Sequence, residues 1–286
     1  MNLFRELVTD NPMMAEVFRR MRRFTLSKDH RQSLLTALAL GVAVFLLTAL
    51  TFAQSGAFTP WAIALIKLPL LCAALPLAMH GSIAGERDRR SWDALCAAPV
   101  TDAQIVAGKF AVGLTVLAAV WLAFLPMELS ALVTEVNRDR LADALVTLRL
   151  DFYTLLVGMF VASLSFLASA RSRRPFAALG ATGGALGALL IVSNVLLFSA
   201  SATDAKNRFY QPVVALLNPV LHLVQITDGS QNTWSRDMSL GWKLAPEFGA
   251  LIYLALGIAM LVVATRTLHA ADQEVVASSP KSTTHA

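Results

Sequence analysis

Stretches of about 20 apolar residues recur six times along this chain, at 33–53, 61–84, 106–131, 152–170, 176–200 and 248–267. A hydrocarbon core about 30 Å thick needs roughly that many residues as α-helix, because a lipid-exposed segment must satisfy every backbone polar group internally. The fold expected is therefore all-α, a polytopic membrane protein with six transmembrane helices. Composition agrees, since only 15% of the 286 residues are charged, where a soluble chain carries about 25%.

The 24 Lys and Arg are unevenly placed along these spans. With the N-terminus inside, 16 fall on or beside the inner face, 7 in the two larger outer loops, and Lys67 lies within a span. This is the positive-inside bias. It accounts for the net charge of +5 by topology, so no nucleic-acid partner is expected. Both termini are expected on the cytoplasmic side of the cell membrane, with 33–267 forming the six-span domain and 268–286 a cytoplasmic tail.

Residues 1–32 are expected to be cytoplasmic and to carry an amphipathic interfacial helix over 11–25. Asn11 can cap it with Pro12 at the first helical position, after which Met14, Val17, Phe18, Met21 and Phe24 share one face. Arg19, Arg20, Arg22 and Arg23 supply a basic side for anionic headgroups, so membrane lipids are expected partners.

Motifs for chemistry within the chain are lacking. The five His residues have no second ligand at i+3 or i+4, so no metal site is expected, and no G-x-S-x-G or metalloprotease motif marks a catalytic residue. Cys72 and Cys96 do not suggest a disulfide. Gly108-Lys109 is not a phosphate-binding loop, because Ala103 stands where its first Gly belongs and Phe110 follows the Lys. No cofactor is expected in this chain. The glycine-rich run at 180–190 lies inside the fifth span, where Gly and Ala suit close helix packing.

Two ionisable residues fall inside spans, Lys67 on the outer half of the second and Glu128 on the outer half of the third. Either they pair across the pathway, or Lys67 snorkels to the outer surface. Residues 211–229 form an apolar run too short to span, interrupted by Asn218-Pro219 and followed by Asp228-Gly229. A re-entrant hairpin is expected there, serving as an outer lid with Pro219, His222 and Gly229.

The segment 85–105 concentrates charge between the second and third spans. A short helix from Glu86 is expected to place Asp88, Trp92, Leu95 and Cys96 along one side until Pro99 stops it. Thr101 to Gln104 reads as a capping box, with Val100 and Ile105 in the hydrophobic-staple positions. Such a stiff elbow suits a surface that receives a push from a cytosolic partner, while the plainer reading is a solvated loop with one interfacial Trp.

These residues resemble the exporter-type (type 2) ABC transporter permease subunits. That family's spacer reads approximately Glu-Arg-Glu-x-Gly-Thr-Leu-Glu-x-Leu, then Thr-Pro-Val-Ser, then an aliphatic residue and Gly-Lys. Glu86, Arg87, Asp88, Ser91, Trp92, Asp93 and Leu95 match by identity or kind, followed by Pro99, Val100, Thr101, Ile105, Gly108 and Lys109. Arg90 stands where the family has Gly, which is expected to stiffen the helix, and Ala98 stands where it has Thr. The run 217–229 is similar to the family's Ser-Pro-x-x-His followed by a later Gly.

The resemblance implies a transmembrane subunit of an ATP-driven exporter, paired with a second permease subunit as a homo- or heterodimer. ATP and Mg are expected on a separate ABC ATPase subunit. Glu86, Arg87, Trp92, Asp93, Leu95 and Pro99 would contact that ATPase, with Trp92 and Leu95 packing in its cleft. The alternative reading is a membrane-integral enzyme, or a membrane anchor of an assembly complex without transport.

Overall fold

A computed structural model describes residues 11–15, 19, 60–137, 141–202, 218–231 and 245–268. The expected first span, most of the amphipathic helix, the first part of the 211–229 hairpin and the tail lie outside the described residues. Within them the chain is helical, with no strand. The elements are α1 (Pro60–Met79), α2 (Ala84–Asp88), α3 (Trp92–Cys96), α4 (Asp102–Asn137), α5 (Leu141–Arg171), α6 (Pro175–Ala202), α7 (Pro219–Gln231) and α8 (Ala245–Arg266).

Five of these helices are long and apolar enough to cross a membrane, and they correspond to the second through sixth expected spans. At 13 residues α7 reaches only about 20 Å at 1.5 Å per residue, too little to cross. It continues through Gly229, where the sequence suggests a turn.

Helix α5 is the hub, touching α1, α4, α6, α7 and α8. In its apolar window 67% of residues are buried, against 17% in α6. The cause is visible in the spacing: Val146, Leu150, Tyr153, Val157 and Val161 recur at three and four residues and form one buried face. On α6, Phe176, Ile191 and Val195 are exposed.

The sequence suggests that glycines 180–187 give close packing for the fifth span. Within the described residues they do not, since a Cβ added at Gly180, Gly183, Gly184 or Gly187 meets nothing within 4 Å.

One end of the bundle gathers residues 80–101, the end of α5 and the end of α8, and is called here the elbow end. The start of α1, the start of α5 and the start of α8 lie toward the far end, and α7 docks on this side through contacts with the first half of α5 and the start of α8.

Candidate functional site

The elbow between α1 and α4 is two short helices, not the single helix expected from the sequence. Helix α2 closes in a Schellman arrangement: the Arg90 N–H donates to Arg87 O at 3.1 Å and the Ser91 N–H to Glu86 O at 2.9 Å. That geometry puts Arg90 at φ 57°, in the left-handed region that favours glycine. Arg90 therefore does not stiffen a continuous helix. It occupies the turn that breaks it, which is the conformation the Gly of the resembling families would take without strain.

Each end of the elbow is anchored by side chains. The buried Ser169 hydroxyl accepts from Ile83 N at 3.0 Å and Ala84 N at 3.1 Å, and donates to His80 O at 2.9 Å. One hydroxyl thus satisfies both the last turn after α1 and the first turn of α2, groups that helix ends otherwise leave open.

Arg87 reaches in the other direction. Its guanidinium donates to Ala170 O and Leu268 O, and at 3.4 Å to Ser172 O, so a cation sits on the carbonyl ends of α5 and α8. The same guanidinium lies 5.0 Å from the centre of the Trp92 ring. Glu86 pairs with Lys109 at 2.7 Å and accepts the Ser91 hydroxyl, which joins the elbow to the second turn of α4.

The α4 start carries the capping box read from the sequence. Gln104 Oε1 accepts from Thr101 N at 2.9 Å, and Thr101 Oγ1 accepts from Gln104 N at 3.3 Å. Ile105 is buried, and Val100 packs partly against the core.

The start of the N-terminal helix docks here. Asn11 Oδ1 accepts from Met13 N at 2.9 Å, and Asn11 Nδ2 donates to Gln104 O at 3.0 Å. Gly108 permits this approach, because a Cβ there would overlap Met13. Gly108 and Lys109 thus have separate tasks, close contact for one and the Glu86 pair for the other.

The elbow residues divide by exposure. Trp92 is 4% exposed and belongs to this chain's own core, so the expectation that it fills a partner's cleft is corrected. Leu95 is half-buried against the same core. Asp93, Cys96 and Pro99 are exposed. Glu86 and Arg87 are half-buried and committed to internal contacts.

Toward the far end, Lys67 and Glu128 lie side by side, with Lys67 Nζ 2.6 Å from Glu128 Oε1. Lys67 is 1% exposed and does not snorkel. It also donates to Asp151, whose two oxygens each accept from Trp121 Nε1 at 2.8 Å. Asp151 and Trp121 are not apparent from the sequence, because the apolar run of the fourth span begins at 152 and leaves Asp151 in a loop. The signal was the spacing of Ala144, Thr147, Leu150, Asp151 and Thr154, which extends the buried face of α5 toward the far end.

The expected lid residues separate. Asn218 Oδ1 accepts from Val220 N and Leu221 N, each at 3.0 Å, which caps α7 at Pro219. His222 is fully buried, with Nδ1 2.7 Å from Tyr153 Oη, and Gly249 lies under its ring. Gly229 is helical and away from this contact. Among the described residues no cluster of His, Cys, Asp and Glu could hold a metal ion.

A comparison with curated proteins gives no match. A family model described as ABC-2 family transporter protein matches residues 25–272. The match covers the elbow, the five described spans and α7. The chain therefore belongs to the ABC-2 transporter family, as a membrane permease component that is not itself a catalyst.

Proposed function

We propose that this permease forms the substrate pathway of an ATP-driven exporter and is coupled through residues 84–99 to a separate ABC ATPase subunit. In this reading it works as a dimer in the cell membrane with both termini cytoplasmic. The observation that carries it is Arg87, one side chain bonded to the carbonyl ends of both α5 and α8 while stacked on the elbow's own Trp92. A displacement of the elbow cannot be absorbed locally, since Ser169 passes it to α1, Lys109 to α4, and Arg87 to α5 and α8. A partner biases such an element only by contacting it differently in its two states. Exposed Asp93, Cys96 and Pro99 supply the contact surface.

The pairing with a second permease is supported by α6, whose glycines have no neighbour within the described chain. Helix α7, docked by His222, is read as part of an outer lid.

The test is a complex isolated through a tag on this chain and reconstituted in vesicles. Arg87→Ala is expected to keep the ATPase bound and hydrolysing while ATP-driven transport falls at least tenfold. Unchanged transport by Arg87→Ala and by Asp93→Ala would remove the elbow from the coupling path.

A further inference from the structure

Three spans meet at Lys67, Glu128 and Asp151, and the group does not balance in charge. One ammonium faces two carboxylates, in a part of the chain where Lys67 is 1% and Glu128 8% exposed. Among the described residues, Lys67 from α1 and Asp151 from α5 are the charged groups facing Glu128, and no other described ionisable side chain lines the cavity. The nearby Arg149 is engaged with Glu247 of α8 and does not line this space. A net negative charge on buried side chains beside Ile63, Ala64 and Leu150, with Thr147 and Thr154 also lining the space, is costly, and two carboxylates sharing one cation disfavour double ionisation.

The two acids are not equally served. Both oxygens of Asp151 accept from the Trp121 indole and one also accepts from Lys67. Glu128 accepts from Lys67 through Oε1 only, and its Oε2 is buried with no hydrogen-bond partner among the described residues. The space beside these groups is about 10 Å³, room for about one water-sized particle. A larger organic cation does not fit.

We infer that Glu128 is a proton-binding site: one proton joins its carboxylate at Oε2 and brings the three-residue cluster to neutrality. Loss of that proton returns the cluster to one negative charge. Repulsion between the acids then loosens α4, the helix that begins at the elbow, from α5. The permease therefore carries a protonation site built into its helix packing, independent of which partner drives it.

The test uses the full chain in lipid nanodiscs and infrared spectroscopy of the protonated-carboxyl C=O stretch. At neutral pH the wild type is expected to show this band, shifted by carbon-13 labelling of glutamate side chains and unmoved by labelling of aspartate. Glu128→Gln should fold, because the amide is the neutral isostere, and should lack the band. Asp151→Asn should also lose it, since Lys67 and Glu128 then balance as an ion pair. No such band in the wild type, a band that follows the aspartate label, or one that persists in Glu128→Gln contradicts a proton on Glu128. Failure of Glu128→Gln to fold counts against the assignment, and the labelled wild type decides independently.

Discussion

Glu86 Oε1 lies 2.7 Å from Lys109 Nζ, joining the first helix of the elbow to the second turn of α4. The pair bridges 23 residues of sequence and bypasses the connecting turn at Pro99. Its two side chains are 25% and 14% exposed, so the pair is partly shielded from solvent. A double-mutant cycle on Glu86→Gln and Lys109→Met, read by thermal unfolding in detergent, is expected to give a coupling energy of about 1 kcal/mol. Additive effects would mean that the elbow and α4 are not linked through this pair.

Arg90 provides a second test, because its backbone is left-handed. Arg90→Gly should stabilise the protein by up to about 1 kcal/mol, less than the full strain because glycine also gains freedom when unfolded. Arg90→Val should destabilise it by about 1–2 kcal/mol. Unfolding midpoints for the two variants check the order.

The contrast between Arg90 and Thr101 shows what the sequence disclosed. The capping box is local chemistry, with both partners within four residues, and it was legible. The break at Arg90 depends on Trp92 entering the core beneath Arg87, and on Ser169 of a distant helix closing the α1–α2 joint. None of these is a local signal. The five described spans were legible because hydropathy needs no tertiary context, whereas Asp151 was missed because a polar residue near a span end reads as a boundary. Only the helix periodicity of its buried neighbours places it inside.

Burial of Trp92 changes the effect expected of its removal. Trp92→Ala should lower stability by about 3–5 kcal/mol through a cavity at the elbow. Below its lowered unfolding temperature, the variant should still copurify with an ATPase subunit. Loss of copurification with unchanged stability would return Trp92 to the partner interface.

Gly249 should be intolerant of any side chain. A Cβ there would lie 2.7 Å from His222 Nδ1, against a ring that is already fully buried. Gly249→Ala is expected to displace His222, break its contact with Tyr153 Oη and cost about 1–3 kcal/mol. Faster amide hydrogen exchange across α7, with α5 unchanged beyond Tyr153, is the expected signature. Unaltered exchange in α7 would mean that His222 does not hold it in place.

The claim that the elbow receives the ATPase is tested most directly by photocrosslinking in native membranes. A photoreactive amino acid replaces Asp93 or Ala97, both exposed on the elbow, and Phe176, 84% exposed at the start of α6, serves as the control. The expected result is an adduct at 93 and 97 whose mass and peptides identify a subunit with a phosphate-binding loop, and none at 176. Adducts to that subunit at 176, with none at 93 or 97, would contradict the elbow as the coupling element.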